Sequence, residues 1–137
     1  MAKMKIYYKS GYKHQLSRDY SEATPITGCN ITTLYIELSP DGRLTLFAGY
    51  AWDGASSILP DLKCLMRPSL KHDGFYQLMR EGLLDNKYRP VVDAIFASDC
   101  CVDGVWPWLA SLFETCLRLF GCFASKAKNR RIEICAP

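Results

Sequence analysis

Four residues, Ser39-Pro40-Asp41-Gly42, most constrain what this chain can fold into. Proline presets φ, and glycine accepts the positive φ that a tight reversal needs. Both flanks suit extended backbone. Ile31 to Leu38 (ITTLYIEL) is rich in β-branched and aromatic residues. Arg43 to Trp52 (RLTLFAGYAW) alternates, with Leu44, Leu46 and Ala48 on one face. Turn and flanks together predict an antiparallel β-hairpin. Lys5 to Tyr8 adds a short β-prone run, so the N-terminal third reads as a β-meander.

Further on, the pattern becomes helical. Pro68 fits the first turn of a helix running to about Glu81, because its missing N–H is unneeded there, and Gly82 stops it. Asp85 or Asn86 caps a second helix, with Pro90 in its first turn, that runs to Cys101 or Val102 before Asp103-Gly104 breaks it. A third helix covers Trp106 to Ala124. The expected fold is α+β: an antiparallel hairpin or meander followed by about three helices. At 137 residues, about half of them apolar, one domain with an ample core is expected. Residues 1–52 form its β-rich part, 53–125 its helical part and 126–137 a basic tail.

A net charge of +3 is too mild to argue for nucleic acid. Lys126, Lys128, Arg130 and Arg131 read first as a solvated tail. The first residues, MAKMKIYYKSGYKH, lack the apolar core of a secretory signal. Seven cysteines without a C-x-x-C pair read mostly as reduced thiols filling core space. The third helix, VWPWLASLFETCLRLFGCFASK, is apolar over most of its circumference. Two charges, Glu114 and Arg118, with Pro107 and Gly121 argue against a transmembrane span. It is either a buried core helix or a surface that docks on a partner protein or a lipid interface.

Chemistry concentrates between residues 53 and 96. On a helix, His72 and Tyr76 share a face, and Asp73 points about 100° away. Asp93 sits among apolar neighbours in PVVDAIF, where a lone carboxylate costs energy unless it has a partner. The short connection near Asp85 predicts an antiparallel helix pair with Asp93 opposite Gln77, within a turn of Tyr76 and His72. A carboxylate beside an imidazole holds its tautomer and favours its protonated form. Asp73 and the Asp53-Gly54 turn supply oxygens of the kind calcium prefers. Plainer readings stand beside these. Asp53-Gly54-Ala55-Ser56 can be a turn leaving the hairpin, Tyr76 a core aromatic, and Asp93 half of an ion pair with Arg80 or Arg89.

The order Trp52-Asp53-Gly54-Ala55-Ser56, Lys71-His72-Asp73-x-x-Tyr76, Arg89 and Asp93-x-x-Phe96 resembles an uncharacterised phage and prophage family, a domain of unknown function, from about Gly49 to Gly121. Residues 53 to 96 also look similar to the bacterial and fungal branch of the phospholipase A2 superfamily. That branch pairs an Asp-Gly-Cys-Ser loop with His-Asp-x-x-Tyr on one helix and Asp on the next. This second resemblance implies that His72 is the general base that activates a water and that Asp93 orients it. Tyr76 would bond to Asp93, and Asp73, Asp53 and Gly54 would hold calcium, which polarises the ester carbonyl. Ala55 stands in place of the loop cysteine. Leu70, Gly74 and Phe75 stand where secreted relatives often carry disulfide cysteines.

Two functions follow as expectations. One is a phage-encoded, calcium-dependent lipid ester hydrolase. The other is a non-enzymatic virion component or host-interaction protein on the same scaffold, docking through helix 106–124 with Trp106, Trp108, Phe113 and Phe120 as its surface. A protein made in the host cytoplasm and carried in the virion suits both.

Overall fold

The turn closes as its residues dictate. Gly42 adopts φ +93°, and its N–H donates to the Ser39 carbonyl at 2.9 Å. A Cβ on Gly42 would lie 2.3 Å from the Thr24 carbonyl oxygen, so glycine is required for space as well as for conformation. The computed structural model describes residues 6–8, 14–52, 62–124 and 134–136, with side chains over 14–52 and 62–119. Its strands are β1 (Ile6–Tyr8), β2 (His14–Gln15), β3 (Tyr20–Ala23), β4 (Ile31–Thr32), β5 (Ile36–Leu38), β6 (Arg43–Leu46) and β7 (Ala51–Trp52). Helices α1 (Lys63–Arg80), α2 (Arg89–Val102) and α3 (Pro107–Ala124) follow, and then β8 (Ile134–Ala136). The fold is α+β.

An antiparallel sheet of order β3-β6-β5-β4 supports the helices. Ile36 and Tyr20 both register with Leu46, and Leu38 registers with Leu44. Ile36, Leu38, Leu44 and Leu46 are fully buried and pack with Leu70, Phe75, Leu78 and Met79 of α1. Each such side chain contributes about 1.5–3 kcal/mol of apolar transfer. Gly74 lets α1 approach closely: a Cβ there would lie 3.0 Å from Leu46 Cδ2. A second cluster joins the three helices through Leu65, Phe96, Cys100, Ala110, Phe113 and Leu117.

Local sequence misplaces several boundaries. The ITTLYIEL run is a hairpin rather than one strand. Thr33 reverses it, its hydroxyl accepting from the Ile36 N–H at 3.0 Å and donating to the Ile36 carbonyl at 3.1 Å. Strand β6 stops at Leu46 because the distant Asp19 carboxylate captures the Ala48 N–H at 2.8 Å. Ala48 is consequently exposed rather than aligned with Leu44 and Leu46. Strand β3 (YSEA) lacks β-branched residues and shows no strand pattern in the sequence, yet it pairs along β6.

Helix α1 begins at Lys63, not at Pro68, which lies inside it and fully buried. The missing N–H sits opposite the Cys64 carbonyl, and burial of the ring offsets that lost bond. Asp85 does cap, accepting from the Lys87 N–H at 2.8 Å, but the element capped is a 3-10 turn (Asn86–Tyr88) that leads into α2. At the other end of the chain, β8 pairs antiparallel with β1, Ile6 opposite Ala136, so part of the expected tail is strand. Its basic residues Lys126, Lys128, Arg130 and Arg131 lie outside the described residues, as does the Asp53-Gly54-Ala55-Ser56 turn. Among the described residues, no helix is long and apolar enough to cross a membrane.

Candidate functional site

The antiparallel α1–α2 pair brings the expected dyad together. His72 Nε2 lies 2.8 Å from Asp93 Oδ1, and the Tyr76 hydroxyl donates to the same oxygen at 2.7 Å. Two causes converge here. The i,i+4 spacing puts His72 and Tyr76 on one face of α1, and the fold-back at Gly82 and Asp85 sets Asp93 against that face. Asp93 is completely buried, and its neighbours Val92 and Phe96 are core residues. A carboxylate there is tolerable because charge-assisted bonds meet it.

The rings of His72 and Tyr76 have centroids 4.0 Å apart, and the His72 ring meets that of Phe96 at 5.5 Å and 71°. This packing fixes the imidazole plane. A carboxylate at Nε2 keeps the proton on that nitrogen, so neutral His72 presents its lone pair at Nδ1. On that side lies Asp73, with its Oδ1 3.9 Å from Nδ1. Burial pushes the His72 pKa down, but Asp73 and Asp93 outweigh it and the net shift is upward. Asp93 Oδ2 is buried with no hydrogen-bond partner among the described residues.

Asp73 is partly exposed. Its carboxylate suits a hard cation, but calcium takes 6–8 oxygens, and Asp53 and Gly54 lie outside the described residues. Among the described residues, no group of three or more His, Cys, Asp or Glu could hold a metal ion. Trp52, which immediately precedes Asp53, donates its indole N–H to Ser69 Oγ at 3.2 Å. Ser69 lies one turn before Asp73 on the same face of α1. Trp52 is thereby held against that face. Leu70 and Phe75 are buried, and Gly74 packs closely against Leu46.

The cysteines divide. Cys100 is fully buried and its thiol is pushed up to about 12, chiefly by burial, whereas Cys101 is exposed. Core filling is thus true of Cys100 and not of Cys101.

A second polar cluster lies beyond what the sequence pattern suggested. Lys71 Nζ, buried, lies 2.9 Å from Asp99 Oδ2 and 3.1 Å from Glu22 Oε2. Arg67 reaches Glu22 and Asp103, each at 3.0 Å, and Asp99 at 3.4 Å. The Tyr20 hydroxyl donates to Glu22. Tyr20 is raised to about 12 by burial and then by that carboxylate. Two i,i+4 pairs, Arg67 with Lys71 and Asp99 with Asp103, were the available signal, since the register that pairs His72 with Asp93 also pairs them. Glu22 gave none, because β3 has no strand pattern.

No family model, no curated protein and no solved structure matches this chain.

Proposed function

We propose that His72 is the general base of a phospholipase A2-like ester hydrolase encoded by a phage, with phospholipid as substrate. The observation that supports this best is the double hydrogen bond on Asp93 Oδ1, which orients His72 and leaves Nδ1 as its basic atom. Nδ1 removes a proton from water, and the hydroxide adds to the ester carbonyl carbon. When the tetrahedral adduct collapses, the leaving alkoxide takes the proton back from His72, giving a free fatty acid and a lysolipid. Asp93 stabilises the transient imidazolium and Tyr76 holds Asp93. Calcium, when held by Asp73 with Asp53 and Gly54, would supply positive charge at the carbonyl oxygen. A low-calcium host cytoplasm would keep the protein silent there until its release.

The test is mass spectrometry of mixed phospholipid vesicles incubated with the full chain across a calcium titration. Wild type should release fatty acid. His72→Asn, which keeps a hydrogen-bonding group but cannot act as a base, should reduce release by about 10²–10⁴-fold while retaining a cooperative melt. Wild-type release no higher than the blank at millimolar calcium sinks the proposal.

A second reading is favoured by α3. Trp106, Trp108, Leu112 and Leu119 are 51–67% exposed. Such a face suits a non-enzymatic virion or host-interaction protein that docks through it. It equally suits an enzyme that meets a lipid interface.

A further inference from the structure

The proposed ester hydrolysis makes no use of the ion network of Arg67, Lys71, Glu22, Asp99 and Asp103. We infer that this network is a positioning device: the Lys71–Asp99 contact, braced by Arg67 and Glu22, fixes the axial register of α1 on α2 at which His72 meets Asp93. The inference rests on the proposed reading only in calling His72 a base.

Stability alone gives little reason for the network. Lys71 is 3% exposed and Asp99 8%, so both ions lose hydration. Replacing such a pair with apolar residues is often neutral or stabilising. Register is the better-attested use of a buried ion pair. Besides the bonds of His72 and Tyr76 to Asp93, which are the contacts to be positioned, the rest of this helix interface is largely apolar. Phe96 and Val92 on α2 and Leu65 on α1 make non-directional contacts that tolerate sliding. A slip of one residue moves a side chain about 1.5 Å along the axis and about 100° around it, enough to break the 2.8 Å His72–Asp93 bond.

The placement fits a register device. Lys71 immediately precedes His72, and Asp99 lies three residues beyond Phe96, the ring against His72. Arg67, one turn before Lys71 on α1, and Asp103, which caps the C-terminal end of α2, repeat the pairing in opposite chain directions, as antiparallel helices require. Glu22 bonds both Arg67 and Lys71 from β3. Helix α1 is thereby tied to the sheet as well as to α2.

The test reads the dyad directly by NMR of the full chain in EDTA. The downfield His72 Nε2–H proton is assigned by its loss in His72→Asn and followed in Lys71→Met, Asp99→Asn and the double variant Lys71→Met/Asp99→Leu. Loss of register predicts the same outcome in all three: the resonance moves upfield and broadens. A mere through-space charge effect would move it in opposite directions on removal of the cation and of the anion. Should the single variants not fold, the double variant, which leaves neither partner of the pair as an unpaired charge, still decides. An unmoved resonance in a cooperatively melting double variant overturns the inference, as do opposite shifts in the single variants. Where vesicle hydrolysis is measurable, kcat should fall by about 10²-fold with KM unchanged. An inactive wild type would count against the catalytic reading and leave the NMR outcome on register unaffected.

Discussion

At the scale of single residues, Asp93 concentrates the cost and the use of the site. One oxygen takes two hydrogen bonds, and the other is buried without one among the described residues. Tyr76→Phe keeps the ring and removes one of those two donors. It should destabilise the fold by about 1–3 kcal/mol, as the loss of a donor to a buried charged acceptor does, and lower hydrolysis less than His72→Asn. Urea denaturation checks the first part and fatty-acid release the second. A Tyr76→Phe protein as stable as wild type would mean that Asp93 is satisfied without the hydroxyl. These three residues were legible because each broke a local rule in a checkable way. Asp93 was polar in an apolar run, and His72 and Tyr76 stood one turn apart. Of the partners of Lys71 and Arg67, Glu22 was not legible. A basic residue on a helix carries no sign that a carboxylate from a distant strand awaits it.

Among the elements, legibility followed the range of the forces. The Ser39–Gly42 turn, the Asp85 cap and the C-terminal end of α2 depend on neighbouring residues and could be read from them. The end of β6 depends on Asp19 and the start of α1 on packing around Pro68, so neither could be read locally. The turn gives a sharp prediction. Gly42→Ala puts a side chain into positive φ and against the Thr24 carbonyl, and should cost about 1–3 kcal/mol in strain alone, read as a lower denaturation midpoint. The link between β3 and α1 gives another. Burial alone would raise Glu22, but bonds from Tyr20 and Lys71, with the Arg67 charge, leave its pKa lowered. A carboxylate lowered on folding stabilises the fold above its ordinary value, near 4.5 here, and loses that contribution as pH falls through the folded value. Wild type should therefore exceed Glu22→Gln in stability at neutral pH, and the gap should close in acid. A gap that widens in acid would contradict the ion network.

For the whole molecule, the question is why an α+β protein with a buried dyad also exposes an apolar helix face. Ala110, Phe113 and Leu117 of α3 are buried against the other helices, while Trp106, Trp108, Leu112 and Leu119 face outward. The sequence showed apolar residues over most of this helix. Phe113, expected on the docking surface, is buried instead, because α2 presents Phe96 and Cys100 to that face. An exposed tryptophan contributes little to folding, so Trp108→Ala should leave the melting midpoint nearly unchanged, within about 0.5 kcal/mol. Its functional effect then separates the two readings. In an enzyme that works at a lipid surface, Trp108→Ala should slow hydrolysis of vesicles while sparing that of a water-soluble short-chain ester, because His72 and Asp93 are untouched. In a docking scaffold, wild type hydrolyses neither substrate, and Trp108→Ala reduces phage infectivity by loosening a protein contact. His72→Asn completes the comparison. Full infectivity with that variant would exclude an infective role for the dyad, and lost infectivity alongside lost fatty-acid release would tie the phage's success to the base at Nδ1.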